Sequence, residues 1–213
     1  MVVVTAAAPA HVEEAVRLLA ATFRDDAVMG DVVGGRPSDR ERRLAHVFRT
    51  IVRKGLRDGV VDLARAEDDA TILGVAVWDA PGRTRTGLVD LLRDVPSYLR
   101  AFGLSGLREA LRLQRALDAA HPREPHWFLA AIGVHAAGRG QGVGSALIAS
   151  RLAAVDAARP PAPAYLEAST DRSAALYARH GFRAAGRVGG FSSAAPVPMW
   201  RAAVHDRTLA THA

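Results

Sequence analysis

The chain has 213 residues, a formal net charge of +6 and no cysteine. This length supports one sizeable hydrophobic core, and the lack of cysteine excludes disulfides, thiolate metal sites and acyl transfer through a cysteine nucleophile. No apolar run reaches the roughly 18 residues that span a bilayer, and the start Met-Val-Val-Val-Thr lacks the pattern of a signal peptide, so we expect a cytoplasmic protein with no membrane partner.

The positive charge does not predict nucleic acid as a partner. Lys54 is the only lysine among the 28 basic residues, and the arginines are interspersed with acids, as in the run Asp-Arg-Glu-Arg-Arg at 39–43. A nucleic-acid surface would gather its cations on one face or along one helix. The eight histidines form no His-Glu-x-x-His motif or other ligand cluster, so we also predict no metal.

Two helices are predicted near the N-terminus. Apolar residues at helical spacing predict one helix over residues 10–23 and another from Ser38 toward Arg57. Ser38 and Glu41 match a capping box, which favours a helix start at that point. Glycines and aspartates predict a loop over residues 24–36, between the two helices.

Three strands accompany these helices in the N-terminal part of the chain. Runs of apolar and β-branched residues predict them at residues 2–5, 60–66 and 71–78. The second and third are close enough in sequence to form an antiparallel hairpin, with its turn at Asp68 and Asp69.

A largely helical segment follows the hairpin. Residues 88–102 and 104–119 predict two helices that are separated at Gly103, within an insert of about residues 86–120. Packing of this helical pair on the sheet is the simpler interpretation. A mobile lid over a substrate site is the alternative.

The most specific pattern is a glycine run, Arg139-Gly140-Gln141-Gly142-Val143-Gly144, between an apolar strand at 127–134 and a helix at 145–158. Glycines let the backbone approach a ligand closely, and free N–H groups at the start of a helix favour an anion. No lysine follows Gly144, which argues against a nucleoside triphosphate loop, and the spacing departs from the dinucleotide pattern Gly-x-Gly-x-x-Gly. The run therefore predicts a diphosphate ligand of another kind, with a ligand-free turn as the alternative.

The segment after this run predicts a strand at 164–169, a short helix at 173–180 and a strand at 182–188. Gly181 follows the short helix, where a left-handed conformation is needed. The apolar run at 196–200 predicts a last strand, in this chain's own sheet rather than in that of a partner subunit.

Two motifs in this order resemble the signature of the GNAT superfamily of acetyl-CoA-dependent N-acetyltransferases. One is Arg-x-x-Gly-x-Gly, ending at Gly144, and the other is Leu-Tyr-Ala-Arg-His-Gly-Phe at 176–182. The resemblance implies an α/β fold in a single GNAT-like domain. Its central sheet is mixed and mostly antiparallel, with about seven strands flanked by helices and a helical insert between strands three and four. We expect an acetyltransferase domain over residues 1–205, a cofactor-binding core at about 126–190 and a flexible tail at 206–213.

Residues 121–130, 132–134 and 165–169 are similar to puromycin N-acetyltransferase-like members of the superfamily, which modify antibiotics. This resemblance implies acetyl-CoA as the cofactor and a primary amine of a small molecule, such as an antibiotic, as the acceptor. The alternatives are a protein or peptide N-acetyltransferase and a non-catalytic acyl-CoA-binding regulatory module. A monomer and a homodimer both remain open.

The resemblance also implies a cofactor site. The strand at 127–134 separates from the strand at 164–169, and the pantetheine arm enters between them. The residues expected to bind the cofactor are Ile132, Val134, Arg139, Gly140, Gln141, Gly142, Val143, Gly144, Ser145 and Ser173. Ser173 stands in the region where relatives often carry asparagine.

Two residues are the candidates for proton transfer. Tyr177 matches the superfamily tyrosine that acts as general acid toward the coenzyme A sulfur, with a packing role as the alternative. Glu167 is an acid within an apolar strand, where burial would suit it to work as a base. Period-two alternation equally allows it to face solvent. His135 is the rival base.

The acceptor site is the least specified part of the prediction. Aromatic rings and carboxylates suit an amine-bearing, partly apolar molecule. The candidate walls are residues 25–35, Trp78, Tyr98, Phe102 and Trp127. Asp25 and Asp26 are expected to be solvated loop charges outside the catalytic set.

Overall fold

The computed structural model describes residues 1–67, 71–82 and 88–204, and for residues 88–94, 104 and 105 it describes the backbone alone. A sheet of seven strands forms its centre, in the order β1-β2-β3-β4-β5-β7-β6. The strands are β1 Val2–Ala6, β2 Gly59–Ala66, β3 Ile72–Asp79, β4 Trp127–Val134, β5 Ala164–Ala168, β6 Arg183–Ala184 and β7 Val197–Arg201. Strands β4 and β5 pair in parallel, and the other neighbours are antiparallel.

Helices cover both faces of this sheet. They are α1 Val12–Phe23, α2 Ala27–Val33, α3 Arg40–Asp58, α4 Leu88–Ala120, α5 Val143–Ala157 and α6 Asp171–Ala178. Helices α1, α3 and α4 share a core with one face, and α5 and α6 share a core with the other. We call these the α1/α3 face and the α5/α6 face. The predicted single α/β domain with a mostly antiparallel seven-stranded sheet is confirmed.

Strand β3 is apolar from Ile72 to Trp78 because both of its faces are covered. All of its residues are buried, because alternate side chains enter the two cores: Val75 and Val77 on the α1/α3 face, Ala76 and Trp78 on the α5/α6 face. A Cβ at Gly74 would lie 2.7 Å from Val143 Cγ1. Glycine at this position therefore lets the start of α5 pack directly on the sheet.

The predicted hairpin and last strand are confirmed. Strands β2 and β3 pair antiparallel, with Val61 opposite Val77, and β7 pairs with β5 of the same chain. The predicted turn at Asp68 and Asp69 lies outside the described residues, as does the tail at 206–213.

A β-bulge interrupts β4 at Ala130. Val77 of β3 pairs with Ala131, and the next β3 residue pairs with Leu129, so Ala130 has no partner in this described ladder. The bulge reverses the alternation of side chains. Before it, Leu129 points to the α5/α6 core; after it, Ile132 and Val134 do.

Helix α4 is the predicted insert, and it is kinked where the sequence predicts a break. Gly103 has φ +64° and ψ 175°, outside the helical region. Phe102 and Ala110 lie on either side of the kink and are buried in the α1/α3 core. This supports the interpretation of the insert as a packed element. Within the described ranges, no helix has the length and apolar content to cross a membrane.

Two predictions near the N-terminus are wrong. The segment at 24–36 is not entirely loop: Asp26 caps α2 by accepting a hydrogen bond from Met29 N at 2.9 Å. The capping box at Ser38 does not form, because Pro37–Asp39 makes a turn of 3-10 helix and α3 begins after Asp39. In both places the chain forms a short helix or helical turn that its composition does not predict.

The predicted strand at 182–188 is much shorter than expected. Strand β6 covers Arg183–Ala184. Gly186, with φ +112°, then takes the backbone out of the extended conformation. The chain continues as a loop to β7.

Candidate active site

A gap opens between β4 and β5 beyond the bulge. In the described chain the two strands pair at three positions, Trp127–Ala164, Phe128–Tyr165 and Leu129–Leu166. Both strands continue past these pairs. His135 N donates to Leu73 O at 2.8 Å, toward β3. Because successive residues of a strand direct their backbone groups to opposite sides, those of Val134 and Ile132 point toward the gap.

The glycine run joins β4 to α5 in a conformation that requires glycine. Gly140 and Gly142 have φ of +76° and +78°, and Gly142 is the N-cap of α5. The first helical hydrogen bond runs from Ala146 N to Gly142 O at 2.9 Å. Helix geometry therefore leaves the N–H groups of the first three helical residues without a partner inside the helix. These residues are Val143, Gly144 and Ser145.

The loop has room for a ligand. A Cβ built at Gly140 or Gly142 would find no atom within 4 Å. Open space, unpaired N–H groups and the positive end of the α5 dipole together suit a diphosphate. The geometry fits the pyrophosphate-binding function that the sequence predicts for this run.

Three elements converge beside the loop. A Cβ at Gly144 would lie 3.6 Å from Val134 Cγ2 and 3.6 Å from Leu176 Cδ2, so the start of α5, the end of β4 and α6 are neighbours. Ser145 Oγ lies 2.7 Å from His180 Nε2. Burial and nearby arginines lower the pKa of His180. His180 was not predicted as a site residue, although it lies inside the motif at 176–182.

Tyr177 is buried next to this junction. It is 6% exposed, and its ring meets that of Phe182 edge-on at 6.2 Å between centroids. Burial, and after it the negative charge of Asp26, raise the pKa of Tyr177 well above its ordinary value. The phenol is therefore protonated across the neutral and mildly alkaline range. This is the state that a general acid needs.

Asp26 contacts the end of β5 instead of facing solvent as a free loop charge. Its Oδ2 accepts a hydrogen bond from Ser169 Oγ at 2.5 Å, and its Oδ1 caps α2. Ser169 directly follows β5. The expectation that Asp26 is a solvated charge is therefore wrong. The missed signal is its position as N-cap, directly before the apolar residues that open α2.

Glu167 lies on the other face of β5 from Tyr177. Tyr177 packs with Leu166 in the α5/α6 core, whereas Glu167 alternates to the opposite face with Tyr165. Tyr165 Oη donates to Glu167 Oε1 at 3.0 Å, and His121 Nδ1 lies 4.0 Å from the same oxygen. The Glu167 side chain is 15% exposed. The two proposed proton-transfer groups thus approach the gap from opposite faces of the sheet.

The Acetyltransferase (GNAT) domain family matches residues 110–184, a range that contains β4, the glycine run, α5, β5 and α6. Residues 110–184 thus match a GNAT acetyltransferase domain. The matched range also contains both sequence motifs, so the resemblance that they suggest is confirmed at the level of the superfamily.

Solved structures are similar to this chain over nearly its whole length. A protein from Corynebacterium glutamicum ATCC 13032, described as histone acetyltransferase HPA2 and related acetyltransferase, is 26% identical with a TM-score of 0.73, covering 97% of this chain and 98% of that chain. Arylalkylamine N-acetyltransferase 2 from Aedes aegypti is 15% identical with a TM-score of 0.60, covering 94% and 98%. An agmatine N-acetyltransferase is 15% identical with a TM-score of 0.59, covering 94% and 99%.

The two structures that are 15% identical show a similar fold and nothing about the reaction. The family match and the 26% identical structure bear on the chemistry as well. The GNAT domain is thus an acyltransferase.

Three other residues predicted to bind the cofactor lie in the glycine run and near the start of α6: Arg139, Gln141 and Ser173. Arg139 is exposed, and Gln141 donates through Nε2 to Ala137 O at 2.7 Å. Ser173 is the third residue of α6, where its hydroxyl and amide form a capping box with Thr170. Thr170, not Ser173, is the N-cap of this helix. The Ser173 hydroxyl donates to Thr170 O at 2.8 Å.

The rival base His135 lies on the surface of the GNAT domain. Its side chain is exposed, and its Nδ1 accepts a hydrogen bond from Ala137 N at 3.2 Å. This contact caps the short 3-10 turn after β4. Unlike Glu167, His135 has this local structural role.

Of the residues predicted to line the acceptor site, some are buried in the core and others are partly exposed. Trp78 is fully buried in the α5/α6 core, so it cannot line a site. Phe102 stacks on Tyr98 at 5.9 Å within the α1/α3 core. Trp127 is partly exposed beneath the Arg151 guanidinium, 5.9 Å from its ring centroid.

We expect the GNAT domain to lose stability in mild acid through His126. Burial is the main cause that lowers the pKa of His126, so the folded ring stays neutral while the unfolded ring takes up a proton near pH 6.5. The free energy of unfolding must therefore fall as pH drops below about 6.5, by up to about 1.4 kcal/mol per pH unit for one such site. Denaturant unfolding between pH 7.5 and 5 measures this slope.

A His126→Asn variant should show a shallower slope, because asparagine can still donate to Glu124 O but does not titrate. His135→Asn is the control, since this ring is exposed. An equal slope in the wild-type protein and the His126 variant would contradict the assignment. His46 and His180, whose pKa values are also lowered by burial, contribute to the slope in the same direction.

Proposed function

We propose that this GNAT domain transfers the acetyl group of acetyl-CoA to a primary amine of a small molecule, by direct attack of the amine in a ternary complex. The observation that carries the proposal is the gap between β4 and β5, which opens beside both the glycine run and Tyr177. Acetyl-CoA supplies the thioester carbonyl that the amine attacks. The chain's own residues bind, orient and exchange protons.

The proposed cofactor contacts follow the geometry of the loop and the gap. The N–H groups of the glycine run hold the diphosphate, and the backbone groups of Ile132 and Val134 pair with the pantetheine arm. Arg139, Gln141 and Ser173 contribute side chains at the mouth of the gap. The full proposed set is Ile132, Val134, Arg139, Gly140, Gln141, Gly142, Val143, Gly144, Ser145 and Ser173.

Two proton transfers accompany the proposed reaction. Tyr177 Oη gives a proton to the departing sulfur, and the raised pKa of this buried phenol keeps that proton available. Glu167 removes a proton from the acceptor amine, directly or through water. Since the two side chains lie on opposite faces of β5, acid and base act on opposite sides of the reacting carbonyl.

A small cationic amine is the proposed acceptor. Asp26 lies close enough to Tyr177 to raise its pKa, so a negative charge stands near the proposed general acid. An ammonium group in front of this carboxylate is held by opposite charge. The resemblance of residues 121–182 to antibiotic-modifying relatives, and the amine substrates named for the arylalkylamine and agmatine enzymes, support the same choice.

A protein or peptide acceptor is the second candidate. The description of the Corynebacterium glutamicum structure includes the words histone acetyltransferase. The third candidate, a regulatory module that binds acyl-CoA without turnover, gives a different experimental result. Coenzyme A release from acetyl-CoA, measured against puromycin, arylalkylamines, polyamines and short peptides, separates the three. Turnover with small amines supports the proposal, turnover with peptides alone contradicts it, and binding without turnover favours the regulatory module.

Replacing Asp26 with asparagine should raise the KM for the amine about tenfold, because a charge-assisted hydrogen bond worth roughly 1.5–3 kcal/mol is lost. Asparagine caps helices as well as aspartate does, so α2 should persist. The Kd for acetyl-CoA should not change. Steady-state kinetics with one amine and calorimetry with acetyl-CoA measure the two constants.

Asp25→Asn is the matched control for this variant. Asp25 is the neighbouring acid, its side chain is 82% exposed, and it pairs with Arg24 on the surface. An equal rise in KM for both variants would mean that general charge, not the position of Asp26, attracts the amine.

We also propose that residues 1–205 form one acetyltransferase domain, with the helical insert at about 86–120 and the cofactor-binding core at about 126–190. The packing of α4 on the same core as α1 and α3 supports a single unit.

A further inference from the structure

A chain of polar side chains extends behind Glu167, away from the gap. His121 Nδ1 lies 4.0 Å from Glu167 Oε1, His121 Nε2 lies 3.0 Å from His126 Nε2, and His126 Nδ1 lies 2.6 Å from Glu124 O. Tyr165 Oη donates to the same Glu167 oxygen. We call these four side chains the histidine relay: Glu167, Tyr165, His121 and His126.

Hydrogen-bond chemistry fixes the protons in this relay. A backbone carbonyl only accepts, so His126 Nδ1 carries the proton that is donated to Glu124 O. Burial lowers the pKa of His126, which keeps the ring neutral and leaves its Nε2 as an acceptor. His121 Nε2 must then be the donor in the contact between the two rings. When His121 is neutral, its Nδ1 therefore carries a lone pair that faces Glu167.

His121 Nδ1 faces another acceptor, Glu167 Oε1, at 4.0 Å. Two acceptors, the Nδ1 lone pair and a carboxylate oxygen, face each other, and one proton between them turns repulsion into a hydrogen bond. His121 directly follows the C-terminus of α4. The rings of Phe128 and Tyr165 meet its ring edge-on at 5.0 and 4.8 Å between centroids.

Other charged groups face His121 from the neighbouring elements. Asp79 at the end of β3 is buried, which raises its pKa, while Lys54 of α3 and, more weakly, His121 act in the opposite direction. Lys54 forms an ion pair with Asp79. Asp58 of α3 lies beyond this pair and raises the pKa of Asp79 further. Glu124 lies in the loop before β4.

We propose that His121 is a positioning residue that receives, at Nδ1, the proton that Glu167 removes from the acceptor. This inference rests on the proposed function of the same site. The N–H bond of the ammonium breaks as an O–H bond forms on Glu167; that O–H bond then breaks as an N–H bond forms on His121. Glu167 returns to the carboxylate, and the His121 imidazolium, whose side chain is 22% exposed, releases the proton to solvent.

The pH profile of kcat/KM tests this role. The same amine is used for every variant, so that the ionisation of the substrate affects all profiles equally. His121→Gln keeps an N–H donor for His126 but removes the nitrogen that takes up a proton. We expect kcat/KM near neutral pH to fall about tenfold, the lower part of the range for acid–base groups. The acid limb should also move to lower pH, because the imidazole that shares this proton with Glu167 in the wild-type protein is gone.

Tyr165→Phe gives a shift of the opposite sign. The phenol donates to Glu167 Oε1, which favours the charged carboxylate, so its removal should move the acid limb to higher pH. His135→Gln is the control and should not move the limb, since this histidine is exposed and lies outside the relay. A purely structural role would change the rate but not the pH at which the acid limb falls. The proposal would therefore be overturned if the profiles of all variants superimposed on the wild-type profile after scaling.

A second measurement does not depend on turnover. Nitrogen-15 NMR of the histidine rings, recorded at pH 8 without substrate, should give the Nε2–H tautomer for His121 and the Nδ1–H tautomer for His126. Glu167→Gln should change the Nδ1 resonance of His121 and leave that of His126 in place. An Nδ1–H tautomer for His121 would overturn the relay even if amines are acetylated. Correct tautomers without turnover of any amine would instead count against the proposed function.

Discussion

Replacing Tyr177 with phenylalanine should lower kcat about 100-fold and leave the Kd for acetyl-CoA unchanged. Proton transfer by a positioned side chain contributes about 10²–10⁴-fold to an enzymatic rate. The lower part of this range applies because a thiol with a pKa of about 8.5 is a good leaving group even without a proton. The ring packs against Phe182 in the α5/α6 core, and phenylalanine retains that packing.

The effect of pH on this step has a definite sign. Burial and the Asp26 carboxylate raise the pKa of Tyr177 above its ordinary value of about 10. Ionisation of Tyr177 therefore removes no activity below about pH 10. A pH profile of kcat that is measured up to pH 9.5 should show no loss attributable to this phenol.

Tyr98→Phe is the control for the tyrosine variant. Tyr98 stacks on Phe102 in the α1/α3 core, on the opposite face of the sheet. We expect its kcat to fall much less than that of Tyr177→Phe, because Tyr98 takes no part in the proposed proton transfer. A Tyr177→Phe protein with unchanged kcat would show that another group, or water, protonates the sulfur.

Replacing Gly142 with valine should raise the Kd for acetyl-CoA at least about tenfold. Gly142 has φ +78°, and a β-branched residue in this left-handed conformation costs about 1–2 kcal/mol or more. The backbone relieves this strain by rotating, which turns the N–H groups at the start of α5 away from the diphosphate. Hydrogen bonds to charged groups contribute roughly 1.5–3 kcal/mol each, and about 1.4 kcal/mol corresponds to a tenfold change in Kd.

Gly82→Val is a matched control for this effect. Gly82 has φ +76°, and a Cβ there would also find no atom within 4 Å, but it lies after β3 and outside the glycine run. Both variants should lose similar stability in denaturant unfolding. Weaker acetyl-CoA binding in both would mean that lost stability is responsible, whereas weaker binding in Gly142→Val alone supports the loop as the cofactor site.

The sequence predicts the cofactor half of the fold well because the determinants there are local. Strand β4 has the predicted bounds, and the glycine run forms the predicted turn into α5, since positive φ at Gly140 and Gly142 requires glycine whatever surrounds it. The positive φ at Gly181 and the kink at Gly103 are confirmed for the same reason. A glycine in a turn thus indicates a positive φ from the sequence alone.

The parts that sequence analysis missed depend on contacts between distant residues. Ser169 donates to Asp26 across 143 positions of sequence, so no local pattern reveals that this aspartate joins the site. His121 is separated from Glu167 by β4 and α5, yet the two side chains face each other. The bulge at Ala130 is equally invisible, because every residue around it is apolar.

The most direct test of the proposed cofactor site is amide hydrogen exchange of the wild-type protein with and without acetyl-CoA. We expect the cofactor to slow exchange at residues 140–145 and at Ile132 and Val134, the backbone groups that face the gap. The Gly142→Val protein should lose most of this protection at the same acetyl-CoA concentration. Protection at another surface, with exchange in the glycine run unchanged, would contradict the placement of acetyl-CoA between β4 and β5.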